Sequence, residues 1–367
     1  MNDYERRINE EWERYQKQKA HELYPNIMLI GPSGAGKSSL INRIFRGHIA
    51  EVSNVKPETE GYNNIYWGKD HNSSVNLIDT AGYELGKADT YYPEIKRTID
   101  SGINGERVHI IWYCIPITNE RVQDMDKQIL DKLLAEPDIR KRICIVFTKC
   151  DQDSEDSEKA NALKNALVSM GITIQCFETA AKEISYDLDL KKLIQWSAQA
   201  IDNEDLRNKF IAAQMADLDV KRETANKIIA AAAVTAGGIG AVPIPFSDAA
   251  LLVPVQVGMT AKIIDIYGVS NLANISKSLL GSLVVSNLGK SLASSILKVI
   301  PVVGQVVGSV INAGVASAMT SAIGLAVSEI CYNNVKSYLS GNAVAWDSIF
   351  STDEFSNLVT TYFKQKK

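Results

Sequence analysis

The chain has 367 residues, 46% hydrophobic and 22% charged, with a formal net charge of −4, enough to bury cores for two domains. With 23 glycines and 10 prolines it is no disordered or collagen-like chain. The slight acidity argues against a nucleic-acid surface spread over the whole molecule, while a local patch stays open. The five cysteines, Cys114, Cys144, Cys150, Cys176 and Cys331, are odd in number and lack metal-ligand spacing. They read as thiols of a reducing compartment, and the charged opening Met1–Arg7 holds no apolar leader, so a cytoplasmic location is expected.

Residues 1–24 come first. Tyr4, Ile8, Trp12 and Tyr15 recur at helical spacing among dense charges, predicting an amphipathic helix that docks on another part of this chain or on a partner. Pro25 follows, and then the apolar run Asn26–Ile30 with strand character.

That run leads into Gly31-Pro32-Ser33-Gly34-Ala35-Gly36-Lys37-Ser38, followed by Ser39 and a helical pattern. Gly31 and Gly36 fill both glycine positions of G-x-x-x-x-G-K-[ST], in the strand–loop–helix context a P-loop requires. The backbone from Ser33 through Gly34, Ala35 and Gly36, continuing into Lys37, Ser38 and Ser39, is the expected phosphate cradle. Lys37 suits the β- and γ-phosphate oxygens, and the Ser38 hydroxyl suits Mg²⁺.

Thr59, about 20 residues on, is the loop threonine that would sense a γ-phosphate and join the Mg²⁺ shell, the bland alternative being a surface threonine. Tyr62–Trp67 and Val75–Ile78 read as strands. The second delivers Asp79-Thr80-Ala81-Gly82, placing a carboxylate at a strand end for Mg²⁺ and the Gly82 backbone near the γ-phosphate. Lys37, Thr59 and Gly82 are the candidate catalytic groups; Ser38, Thr59 and Asp79 are the candidate metal ligands.

Val108–Ile115 and Ile143–Phe147 are near-continuous apolar runs, as central parallel strands require, with a helix expected over Asn119–Ala135 between them. His109, inside the first run, reads as a packed histidine rather than a catalytic one. After the second come Thr148, Lys149, Cys150 and Asp151. A carboxylate there accepts N1–H and N2–H₂ of guanine while the Lys149 stem covers the ring, which selects GTP over ATP. Ile174–Glu178 is the expected last strand; Thr179, Ala180, Ala181 and Lys182 at its end would touch the base.

These four ordered motifs over residues 25 to about 200 resemble those of the Era-like, translation-factor-related (TRAFAC class) GTPases. The resemblance implies a Ras-like α/β P-loop G domain over 25–202, with a mixed, mostly parallel six-stranded sheet, GTP/GDP and Mg²⁺ as cofactors, and hydrolysis of GTP. Thr148 stands where most relatives carry asparagine, a variant shared with immunity-related and other membrane-acting GTPases, and is expected to loosen the bonding between loops. Tyr83 stands where Ras-type enzymes carry the water-orienting glutamine, which implies slow intrinsic hydrolysis completed by a second copy across the nucleotide or by an activating protein.

Periodicity from Asp187 to Lys227 predicts a long helix running on as a connector. From 228 to 335 only seven residues are charged, with gaps at 228–247 and 299–328 long enough to span a bilayer. In the first, Pro243 and Pro245 instead suggest a helical hairpin turning at Gly240–Pro243. In the second, Gly304, Gly308, Asn312, Ala316, Thr320, Gly324 and Ser328 form a small-residue stripe for close helix packing. This all-α part, 203–367, resembles the glycine-rich helical domain that follows the G domain in a group of bacterial Era-like GTPases, which implies contact with a hydrophobic surface. Soluble, peripheral and membrane-inserted states all remain open. A capping-box pattern, Ser351–Glu354, precedes a closing helix with Phe355, Leu358, Val359 and Tyr362.

The expected function is a GTPase that couples nucleotide state to rearrangement of the helical part. A non-catalytic switch or tether is the competing class. Ribosome association is a third, with 32 acidic against 26 basic residues over 1–202 weighing against a nucleic-acid partner.

Overall fold

The computed structural model describes residues 3–20, 23–45, 63–66, 74–80, 88–103, 106–182, 188–241, 244–245, 251–269, 310–350 and 352–365. Two compact units result: Leu23–Asp217, and Leu218–Lys367 together with Met1–Glu22. The opening helix α1 (Asp3–Ala20) therefore belongs with the C-terminal helices.

The first unit is a six-stranded sheet made of β1 (Asn26–Ile30), β2 (Asn63–Tyr66), β3 (Asn76–Thr80), β4 (Val108–Pro116), β5 (Ile143–Thr148) and β6 (Cys176–Glu178). The order is β2-β3-β1-β4-β5-β6; β2 runs antiparallel to β3 and every other pair is parallel. Its helices are α2 (Lys37–Phe45), α3 (Ala88–Ser101), α4 (Asp124–Leu134), the short α5 (Pro137–Arg140), α6 (Glu158–Ser169), α7 (Leu190–Ala200) and α8 (Glu204–Ala213). The expected mixed, mostly parallel α/β architecture is the one observed.

Strand periodicity explains how both faces are covered. Trp112 and Tyr113, adjacent on β4 and fully buried, point to opposite faces. Trp112 Nε1 donates to Ser197 Oγ of α7 at 3.0 Å, while Tyr113 Oη donates to Asp126 Oδ1 of α4 at 3.0 Å. Asp126 also accepts from the Gln123 backbone N–H, capping α4 where it begins. That cap starts the helix at Asp124 rather than Asn119; Ile117–Asn119 form a 3₁₀ turn instead.

The long helix expected over Asp187–Lys227 is three helices. The Asn203 side chain accepts from Leu206 N–H and starts α8. Gln214 closes it, its side chain bonding both the N–H and the carbonyl of Asp217. Phe210 of α8 meets Phe45 of α2 edge-on at 6.5 Å, and Met215 N–H donates to the Ile44 carbonyl at 2.8 Å. These contacts carry the sheet unit through Asp217, past residue 202.

In the second unit, α9 (Leu218–Ile239), α10 (Val253–Ile266), α11 (Ala313–Leu339) and α12 (Thr352–Gln365) pack together, with a small antiparallel pair of β7 (Ile244–Pro245) and β8 (Val310–Ile311). Helix α9 ends at Ile239, where the sequence predicts a turn. The stripe along α11 is buried: Ala316 and Thr320 are wholly inaccessible, and a Cβ on Gly324 would lie 2.6 Å from Ile229 Cγ1 and 2.9 Å from Met259 Sδ. Gly304, Gly308 and Ser351 lie outside the described residues. Phe355, Val359 and Phe363 are the buried positions of α12. Helix α1 buries Ile8, and Tyr15 Oη donates to Asp265 of α10. Among the described residues, α11 is the helix long and apolar enough to cross a membrane, and 67% of its apolar window is buried within the protein.

Candidate functional site

The C-terminal ends of β1, β3 and β5 bring the sequence motifs together. Register pairs Leu29 with Asp79 and Pro116 with Thr148, so the loop after β1 lies among these strand ends. Gly31 needs its missing side chain, because a Cβ would sit 2.3 Å from the Cys114 carbonyl oxygen. Gly34 and Gly36 have φ of +71° and +85°, the left-handed region in which L side chains are strained. Ser33 and Gly34 are exposed at the rim; Ala35 is buried below them. Helix α2 starts at Lys37, so the first-turn N–H groups, including those of Ser38 and Ser39, face the loop.

Lys37 is buried, and its Nζ donates to the Gly31 and Pro32 carbonyls, both at 3.2 Å. Burial pushes its pKa down, opposed by the nearby Asp79 carboxylate. Asp79 is fully buried and shifted up by that burial, opposed by Lys37 and by the Ser38 hydroxyl, which donates to Oδ2. Its Oδ1 has no hydrogen-bond partner among the described residues, an arrangement costly unless another group completes it. A divalent cation beside Ser38 and Asp79 and a polyphosphate against Lys37 fit this donor set. Among the described residues no group of three or more His, Cys, Asp and Glu forms a metal cage.

The base-reading loop is tied to the phosphate loop. Thr148 Oγ1 donates to the Ala35 carbonyl, one direct bond between the two loops. Gly36 is demanded by its φ rather than by space, since a Cβ there would meet Thr148 at 3.7 Å, an ordinary contact. Lys149 adopts φ +60°, and Cys150 N–H donates to the Thr179 carbonyl at 3.1 Å. That bond joins the Asp151 turn to the Thr179–Lys182 loop, where Ala180 is buried and Ala181 and Lys182 are exposed. Thr59, Gly82 and Tyr83 lie outside the described residues.

Periodicity offered no signal for Tyr91 of α3. It is buried against the site, its hydroxyl 3.2 Å from Thr80 Oγ1, which donates in turn to the Leu29 carbonyl. Burial also pushes it well above the usual phenol range. His109 proves a packing residue: Nδ1 accepts from the Asn26 N–H at 3.0 Å, and burial with two nearby arginines lowers its pKa to about 4. The imidazole is thus neutral near pH 7, and its 3.9 Å approach to Glu106 is no ion pair there.

Residues 26–149 match the family model described as 50S ribosome-binding GTPase. The sheet unit is a P-loop G domain. Segments of this chain are similar to GTPase Der of Rhodopirellula baltica (25% identity over 132 residues, 36% of this chain and 28% of Der) and to the probable GTP-binding protein EngB of Aquifex aeolicus (28% over 145 residues, 38% of this chain and 74% of EngB). The G domain also resembles the crystal structure of Toc33 from Arabidopsis thaliana at a TM-score of 0.39 and 16% identity, over 54% of this chain and 92% of that one. The chain thus spans well under half of Der's length, and the similarity to both relatives is partial.

Proposed function

We propose that this protein binds GTP with Mg²⁺, hydrolyses it slowly to GDP and phosphate, and uses the nucleotide state to reposition its helical unit. The buried Lys37–Asp79–Ser38 group carries this reading, since its orphaned carboxylate oxygen and its depressed lysine are what a polyphosphate–metal complex satisfies. Bound Mg²⁺ would neutralise charge building on the phosphates. Lys37 binds and orients the phosphates, Thr148 keeps the two loops in register, and Asp151 reads the base. Output to the helical unit is supported by chain continuity: Ile44, in the last turn of the α2 that begins at Lys37, accepts from Met215 N–H just before α9 starts at Leu218.

Calorimetric titration with GTP and ATP, followed by single-turnover hydrolysis with Mg²⁺, tests the proposal. Tight, GTP-selective binding with slow phosphate release is expected; equal affinity for ATP, or none for either, would overturn it. Binding without turnover leads to the non-catalytic switch. The matched family model is described by ribosome binding, so an RNA partner stands among the readings despite the net negative charge. A cytoplasmic location with peripheral membrane contact, rather than insertion, fits the burial of most of the α11 apolar window.

A further inference from the structure

We propose that the G domain carries a second binding surface, a groove beside β6 that takes an extended acidic peptide by strand addition. The groove has a volume of about 690 Å³, and its rim holds Arg140, Lys141 and Lys164 with no carboxylate in its lining. Arg140 and Lys141 are exposed; Lys164 is anchored by Glu178. Its lining includes the aliphatic Ile143, Leu167, Val168, Ile172 and Ile174, and Val168 is 60% exposed.

Among the described residues the sheet ends at β6, with no strand on its outer side. Ile145 N–H donates to the Gln175 carbonyl and Thr179 N–H to the Phe147 carbonyl, so residues 175, 177 and 179 turn their backbone toward β5. By the alternation of a parallel ladder, Cys176 and Glu178 turn theirs outward. Glu178 is closed off: its N–H donates to Asp189 Oδ2 at 3.2 Å and its carbonyl accepts the Asp189 N–H at 2.9 Å. Cys176, which lines the groove, leaves its N–H and carbonyl facing outward into it.

Edge backbone, aliphatic floor and a cationic rim match an extended segment that alternates acidic and apolar side chains. Nucleic acid fits less well, because the floor is aliphatic and Trp196 is already packed on Phe177 at 5.9 Å. The groove adjoins Ile143, where β5 begins, whereas Thr148, where β5 ends, touches the phosphate loop. At the usual strand rise these points lie about 17 Å apart, so a peptide and a nucleotide can bind together.

The test uses the full chain and a fluorescein-labelled decapeptide of alternating Glu and Val, followed by anisotropy. Binding is expected to be at least tenfold tighter than for the Lys–Val peptide and to weaken as salt rises from about 0.05 to 0.5 M. The double variant Arg140→Glu, Lys141→Glu and the single variant Val168→Asp should each lose at least tenfold, with unchanged circular-dichroism melts as the check on folding. Methylating alternate peptide nitrogens, in one of the two phases, should abolish binding by removing the strand bonds. Equal binding of both peptides, no loss in the double variant, or tight binding of both methylated peptides would overturn the proposal. So would loss, in the double variant, of oligouridylate or phosphatidylserine-vesicle binding while peptide binding persists.

Discussion

At Lys37 the protein holds an amine in a buried loop, where it donates to the Gly31 and Pro32 carbonyls of that same loop. Lys37→Ala removes charge-assisted contacts worth roughly 1.5–3 kcal/mol each, so GTP affinity should fall by about 100-fold or more by calorimetry. At Asp151 the change to Asn exchanges an acceptor for a donor-bearing amide, which moves preference from GTP to XTP, whose C2 carries a carbonyl. If competition binding finds both affinities unmoved, Asp151 does not face the base. His109 sets a pH dependence. Its folded pKa of about 4 lies below the 6.5 of a free imidazole, so the unfolded chain binds more protons between those values and stability falls as pH drops from 6.5 toward 4. His109→Gln should flatten that part of the stability–pH curve in urea unfolding; an unchanged slope would place the acid sensitivity elsewhere.

Among the elements, α11 shows what a small-residue stripe does. Its positions face several neighbours in turn: a Cβ on Gly240 of the turn after α9 would come within 3.0 Å of Ala316, while Gly324 is overlain by Ile229 and Met259. A spacing of four drifts against the helical period, so contacts pass from one end of α9 to the other and on to α10. Gly324→Val forces these neighbours apart and should destabilise the helical unit by about 1–3 kcal/mol, read as a lower thermal midpoint with GTP affinity unchanged. A similar spread of partners explains why the run over Asp187–Lys227 is not one helix: Asn203 and Gln214 have side chains that bond the backbone locally and divide it.

For the whole molecule, the proposed slow hydrolysis leads to a test of whether two copies act together. If a second copy completes the site across the nucleotide, specific activity should climb with protein concentration and the GTP-bound form should sediment larger than the GDP-bound one. A flat, low rate with one monomeric species in both states would remove the paired mechanism and favour a separate activating protein.

The G domain was legible because its motifs are local chemistry. Gly31 and Gly36 are demanded by backbone approach and φ, Asp79 and Thr148 by their strand ends, and the apolar runs of β4 and β5 by burial on both faces, so order and spacing along the chain determine the sheet and its binding loops. What only the tertiary structure decided depends on partners distant in sequence. The amphipathic α1 declares a face but not its mate, which is α10, some 240 residues on. The Thr148 side chain reaches the Ala35 carbonyl of the P-loop, a bond between residues far apart in the chain that only the parallel packing of β1, β4 and β5 brings together. Tyr91 and the β6 groove carry no motif, since a buried hydroxyl bond and an open sheet edge exist only once separate segments have been packed side by side.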